Sequence, residues 1–373
     1  MSGIYIHIPF CKQACSYCDF HFSTTFQPYR TDLISAMVTE LESTVSYLNQ
    51  DRIESIYFGG GTPSLLTGEE IENLLTTIKK LHAVSPNAEI TLEANPDDIT
   101  KEKLQAWKLL GINRLSIGVQ SFLPRDLKWM NRAHSPEEAK ESIRIAKKLD
   151  FQLTLDLMYG LPDASSEEWS ENIQQAISFE PEHISAYCLT IEDKTALAKW
   201  VQENKIKPPS ENIQADQFNL LLEKLTQTGY EQYEISNFAK NGKYAIHNSN
   251  YWKGASYLGI GPSAHSFNGT QRSWNIANNQ QYIRGIQQKK NMKTKEELSL
   301  KDRFNEKVMT GLRTKWGVDL TELNQLQPIE QSMKNNIVEL TEKKLIFIEK
   351  DTLYLTQPGK LLADQIAASL FVT

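Results

Sequence analysis

Three of the chain's four cysteines, Cys11, Cys15 and Cys18, fall within eight residues, directly after the apolar run Gly3-Ile4-Tyr5-Ile6-His7-Ile8-Pro9-Phe10. A strand that empties into a cysteine loop narrows the possible folds and chemistries at once. Cubane iron–sulfur clusters normally take four thiolates, so three close thiolates can hold a cluster and leave one iron open to a non-protein ligand. Zinc is the other metal this spacing admits, and it wants a fourth ligand, for which His7 or His21 is available. A disulfide framework fits poorly, being mainly a device of small secreted domains. The remaining cysteine, Cys188, lies in a strand-like apolar run and is expected to be a small buried hydrophobe.

At 373 residues the chain is long enough for one large domain or two to three smaller ones, and for burying about 75% of its unfolded surface. With 40% hydrophobic and 23% charged residues and a net charge of −6, nothing advertises nucleic acid or anionic membrane as a partner. No apolar run reaches the ~18 residues a membrane span requires. The first residues lack the basic segment, apolar stretch and small-residue cleavage site of a secretion signal. A cytoplasmic protein with reduced thiols is therefore expected.

Hydrophobic periodicity then predicts a helix over Gln27–Leu48 and strands at Ile53–Phe58, Glu89–Leu92, Arg114–Val119, Gln152–Met158 and His183–Leu189. Helix starts stand between them: Thr67-Gly68-Glu69-Glu70, Ser135-Pro136-Glu137-Glu138 and Ser165-Ser166-Glu167-Glu168 all read as capping boxes. Six strands alternating with helices, joined by right-handed crossovers, imply a parallel sheet, doubly wound or curved toward a barrel. A further helix is expected over Glu211–Thr228 and a short strand over Tyr230–Ile235, followed by an irregular, aromatic-rich stretch to Ser273. The lysine-rich segment Lys289–Leu298 reads as a boundary. Beyond it, helices at Arg303–Leu312, Leu320–Leu326 and Ile329–Leu340, a hairpin across Lys350-Asp351 and a last helix over Gly359–Leu370 suggest a winged-helix-like module. An acidic chain without a basic recognition face argues against DNA binding, so the module is read as structural or docking. The partition expected is 1–210, 211–290 and 291–373.

In parallel βα barrels working residues collect at the carboxyl ends of strands. Here the cysteines follow the first strand and Gly59-Gly60-Gly61-Thr62 the second. Glu93-Ala94-Asn95-Pro96 follows the third, Gln120-Ser121-Phe122 the fourth, and Asp156 lies at the end of the fifth. Three successive glycines let backbone approach a ligand closely, and no Gly-Lys-Ser/Thr follows to make them a phosphate loop. A lone Glu or Asp is more often a cap or a solvated carboxylate; together these residues line one rim.

The spacing C-x3-C-x2-C, with Tyr17 just before the third cysteine, resembles the radical S-adenosylmethionine (SAM) superfamily. The ordered set of strand-end motifs resembles its oxygen-independent coproporphyrinogen III oxidase branch, over most of the chain including the C-terminal module. That resemblance implies an α/β fold: a partial, six-stranded (β/α) TIM-like barrel with a mostly helical, winged-helix-like C-terminal domain. It implies a [4Fe–4S] cluster on Cys11, Cys15 and Cys18, and an electron donor to it. It places Tyr5 near SAM, Gly60, Gly61 and Thr62 at its methionine portion, and Glu93, Gln120, Arg132 and Asp156 in polar contact with it.

Within that branch the decarboxylating enzymes typically add a fourth cysteine two residues after the third, and a long N-terminal extension. This sequence has Phe20 at that position and ten residues before Cys11. Both features, with His247-Asn248-Ser249-Asn250-Tyr251-Trp252 matching an HNxxYW motif, resemble the HemW group of heme chaperones. The resemblance implies heme binding and delivery to an acceptor protein, with coproporphyrinogen III decarboxylation as the alternative. It leaves open whether the chain is an enzyme. His247, flanked by Tyr251 and Trp252 and expected in a loop over the barrel mouth, is the first candidate heme ligand. His7, His21, His265 and Cys188 are the others.

Overall fold

Along each of the first six strands, apolar and polar residues alternate, and that alternation sets the architecture. A computed structural model describes residues 2–49 and 51–372. It places β1 (Ser2–Ile8), β2 (Ile53–Gly60), β3 (Val84–Ala94), β4 (Arg114–Gln120), β5 (Gln152–Tyr159) and β6 (His183–Cys188) side by side in sequence order. Every neighbouring pair is parallel. Ile4, Ile6, Phe58, Leu92, Leu115, Leu155 and Ile184 point outward and pack under the connecting helices in one large core. The alternate residues, among them Tyr57, Glu93, Ser116, Asp156 and Ser185, face the concave side, as a two-residue side-chain period demands.

The expected helix starts are present. Thr67, Ser135 and Ser165 each accept the N3 amide while Glu70, Glu138 and Glu168 reach back, three complete capping boxes. The first helix splits into a 3-10 turn at Gln27–Tyr29 and an α-helix over Arg30–Ser43.

The six parallel strands do not close on themselves. Beyond β6 the sheet continues through antiparallel β7 (Tyr230–Glu234) and β8 (Asn237–Lys240), with β8 next to β6. Beyond β1 it continues through β9 (Tyr257–Ile260), parallel to β1, and then antiparallel β10 (His265–Phe267), β11 (Gln271–Asn275) and β12 (Lys293–Glu297). The result is one twelve-stranded sheet wrapped into a partial barrel. Two expectations are corrected here. The stretch up to Ser273 is not irregular: it holds β8 to β11 and a helix over Ile246–Trp252. The segment Lys289–Leu298, expected as a boundary, supplies edge strand β12, whose exposed charges suit an unpaired sheet edge.

The C-terminal helices Leu300–Leu312, Leu320–Leu326 and Gln331–Glu342 surround a separate core of Phe304, Val308, Leu323 and Leu353. A small antiparallel sheet completes it: β13 (Val318–Asp319), β14 (Ile346–Glu349) and β15 (Thr352–Leu355), with β15 central. The last expected helix is two short ones, Gln357–Lys360 and Ala363–Ser369. Arg313 joins this unit to the barrel, its carbonyl accepting from the Ile235 amide at 3.1 Å and its guanidinium 3.4 Å from Glu234.

Candidate functional site

The cysteine loop leaves β1 at the carboxyl end of the barrel and is pinned on three sides. The Cys11 amide donates to Ser23 O at 3.1 Å and the Ser23 amide to Pro9 O at 2.9 Å, which closes the loop on itself. Gln13 Nε2 donates to Asn131 O at 2.8 Å and Asn131 Nδ2 to Ala14 O at 2.7 Å, a reciprocal pair across to the segment after β4. Lys12 reaches Asp97 Oδ2 at 2.6 Å beyond β3 and also pairs with Asp98.

The three thiols are free and half-buried, facing a single cavity of about 1900 Å³. Two sulfurs already accept hydrogen bonds: Thr62 Oγ1 donates to Cys11 Sγ at 3.4 Å and Arg132 Nη1 to Cys15 Sγ at 3.6 Å. Burial pushes the Cys11 thiol up to about 11 and the Cys18 thiol up to about 12, so binding a metal there releases protons. The histidines that a zinc site would recruit are committed elsewhere. His7 Nε2 lies 2.9 Å from His21 O and its Nδ1 3.1 Å from the Tyr5 hydroxyl, while His21 Nε2 lies 2.7 Å from Asn279 Oδ1. Three thiols on one cavity, with a hydroxyl and a cation on two of the sulfurs, offer the donor set of a thiolate-bound cluster.

Next to the thiols the glycine run is packed as tightly as glycine allows. A Cβ on Gly60, whose φ is +105°, would come within 2.5 Å of the His7 ring, and one on Gly61 within 2.7 Å of the Ile8 and Phe10 carbonyls. Glu93 accepts from Tyr57 Oη at 2.7 Å and from the Gly60 amide at 3.1 Å. Ser116 Oγ donates to Asp156 at 3.0 Å. Burial above all, with each carboxylate near the other, pushes Glu93 up to about 7, and burial pushes Asp156 up to about 6. Gln120 closes the rim with a φ of +64°, a left-handed conformation rare for a side chain of its size. Arg132 Nη2 donates to Asn95 Oδ1 at 2.6 Å and Gly118 O at 2.8 Å, while its buried Nε has no partner. Tyr5, Gly60, Gly61, Thr62, Glu93, Gln120, Arg132 and Asp156 are thus brought to the cavity of the three cysteines. Asn95 joins them from the motif after β3, while Tyr57 and Asn131 are site residues that the sequence does not single out: Tyr57 lies inside β2, where only its alternation with Phe58 marks it as concave-facing, and Asn131 follows the helix Pro124–Trp129, beside Arg132.

His247 lies elsewhere than expected. It opens the helix Ile246–Trp252, whose first amides, of Ile246 and His247, donate to Glu89 at 2.9 and 3.0 Å. Gly3 and Ser55, which the His247 ring meets, lie toward the amino ends of β1 and β2, and Glu89 pairs in register with Ser55, so the helix plugs the barrel floor and does not cover the mouth. The ring stacks on Tyr57 at 5.1 Å and Tyr5 at 6.3 Å, with Nδ1 2.9 Å from Ser55 Oγ. Burial pushes His247 down to about 4. The rest of the motif is also tied into the fold: Asn248 donates to Tyr233 Oη at 3.0 Å and accepts from Trp252 Nε1 at 2.9 Å, and Arg313 lies over Trp252. Cys188, half-buried at the end of β6, is held as a neutral thiol by burial, which pushes it up to about 11.

A radical SAM superfamily model matches residues 5–176 and a HemN C-terminal domain model residues 298–362. The heme chaperone HemW of Bacillus subtilis is 34% identical over 98% of this chain and 98% of its own length. The chain belongs to the HemW family of radical SAM proteins. The HemW of Escherichia coli is 39% identical over 70% of this chain and 69% of its own length, and that of Haemophilus influenzae 35% over 100% and 98%. A solved structure of the coproporphyrinogen III oxidase HemN from Escherichia coli superposes with a TM-score of 0.86, covering 100% of this chain and 90% of that one at 22% identity. That likeness shows that this chain and HemN share the partial barrel and its C-terminal unit.

Proposed function

We propose that this chain is a heme chaperone that carries a [4Fe–4S] cluster on Cys11, Cys15 and Cys18, binds SAM beside it, and passes heme to an acceptor protein. The observation that carries the reading is the convergence, on one cavity, of three free thiols with the glycine run, Glu93, Gln120, Arg132 and Asp156, in a chain whose relatives bear the name heme chaperone. When bound and reduced, the cluster supplies an electron to SAM, and the protein's part is to position and shield.

That part can be read from the residues. Arg132 and Thr62 hold hydrogen bonds to two sulfurs. Gly60 and Gly61 bring backbone close to the cluster loop where any side chain would collide. Glu93 and Asp156, prepaid with donors from Tyr57, Gly60 and Ser116, keep acceptor positions for ribose hydroxyls. Among the described residues no helix is long and apolar enough to cross a membrane, which suits a cytoplasmic carrier served by an electron donor and by acceptors. Nucleic acid is not among the partners proposed.

Anaerobic reconstitution tests the reading on a single preparation: iron and sulfide analysis, EPR of the reduced cluster with and without SAM, heme titration, and a coproporphyrinogen III assay. A cluster perturbed by SAM, saturable heme binding and no protoporphyrinogen IX are expected. Robust SAM-dependent decarboxylation would replace the carrier by the oxidase.

A further inference from the structure

A heme carrier needs a ligand that can take its cargo and also let it go, and the seven histidines, all among the described residues, differ in how free they are. Five have a ring nitrogen in a hydrogen bond: His7, His21, His134, His183 and His247. His82 is buried. His265 alone is exposed and has no hydrogen bond on its ring.

His265 opens β10, and strand alternation puts it on one face with Phe267, opposite Trp274 and Arg272 of β11. The reverse face is fixed, with Ser266, Ser273 and Asn275 buried and Asn275 Nδ2 donating to Glu40 of the helix Arg30–Ser43 at 2.8 Å. On the open face the His265 ring stacks on Trp274 at 5.7 Å and 21°. From Phe267 the aromatic surface runs on through Tyr257 at 6.4 Å to Tyr251 at 5.8 Å. Arg272, 2.7 Å from Glu306, adds a guanidinium to it. His265, Tyr257, Tyr251 and Arg272 border the same cavity as the three cysteines, which His247 reaches from the floor.

Building on the chaperone reading above, we infer that this shelf on β9–β11 is the heme-binding surface, with His265 as the axial ligand. The chemistry is complete for a porphyrin: a free imidazole for iron, flat aromatic faces for the macrocycle, and a guanidinium for a propionate. His247 offers less. A macrocycle is about as wide as two strand spacings, roughly 10 Å, and the His247 ring is faced by Tyr5 and Tyr57 on the barrel floor. A ligand on an open sheet face also leaves the iron within reach of an acceptor's own ligand.

The test is hemin titration of the full-length, cluster-reconstituted protein and of its His265→Ala and His247→Ala variants, read from the Soret band and the dissociation constant. His265→Ala is expected to shift the Soret band and weaken binding roughly tenfold or more, about 1.4 kcal/mol, while its iron, sulfide and SAM-perturbed EPR spectrum stay as in the parent. His247→Ala, or His247→Gln if that variant does not fold, is expected to keep the parental Soret band. A parental spectrum and affinity in His265→Ala overturns the assignment and leaves the chaperone reading standing. No saturable binding by the parent protein overturns the chaperone reading itself.

Discussion

Arg132 donates to the sulfur of Cys15 from 3.6 Å while its second amino group holds Asn95 and the Gly118 carbonyl. One buried cation therefore ties the cysteine loop to the ends of β3 and β4. Hydrogen bonds and positive charge at cluster sulfurs favour the reduced state. Arg132→Lys should keep the charge but lose the planar fork, lowering the reduction potential of the reconstituted cluster and reducing iron retained after gel filtration. Redox titration by EPR checks this, and an unchanged potential would remove Arg132 from the site.

Glu93 and Asp156 set a pH dependence. With Asp156 pushed up to about 6, SAM affinity should rise roughly tenfold between about pH 5 and pH 7 as the carboxylate ionises. Asp156→Asn should bind weakly at both ends of that range. Isothermal titration at several pH values is the measurement.

Folding stability moves the other way. Both groups have folded values, about 7 and about 6, above their ordinary 4.5 and 3.8. The folded chain therefore binds more protons in that window. Their contribution is full below the ordinary values and is lost as pH rises through the folded ones. Glu93→Gln should gain on the parent between about pH 5 and pH 8, by on the order of 1 to 3 kcal/mol. His7 and His247, both held down near 4, run oppositely in parent and variant alike and cancel in the difference. Denaturant unfolding at each pH decides.

Gly60→Ala should destabilise the chain by about 1 to 3 kcal/mol. Its φ is +105° and the new methyl group would meet a His7 ring already tied to Tyr5 and His21. Thermal unfolding of the apoprotein measures this, and Gly68→Ala, whose Cβ meets nothing within 4 Å, is the control expected to show no loss.

The barrel floor depends on Glu89. Its carboxylate is buried 3.6 Å from the Arg114 guanidinium and accepts both leading amides of the helix Ile246–Trp252. Glu89→Ala strands a buried charge and should cost about 3 to 5 kcal/mol, with hydrogen exchange rising first across 246–252.

Much of this was legible in the sequence. Six strands, three capping boxes and the residues at the strand ends follow from local rules of period and cap that hold wherever the chain lies. What was hidden depends on contacts across long separations. Nothing near Ile246 announces that Glu89 will hold its amide, so the motif at His247 read as a mouth loop when it is a floor plug. β12, Lys-Thr-Lys-Glu-Glu, lacks alternation because none of its residues is buried, so no face of it has a core to specify. β9 and β10 are four and three residues long, too short for a period to register.

In the function proposed above, one chain joins a SAM-responsive cluster to heme transfer. Its most direct test is to load the reconstituted protein with one heme, mix it anaerobically with excess heme-depleted globin, and follow the Soret band. Stoichiometric transfer to the globin is expected, with cluster iron and sulfide retained by the chain throughout. Heme that never binds saturably, together with SAM-dependent conversion of coproporphyrinogen III by the same preparation, would contradict it.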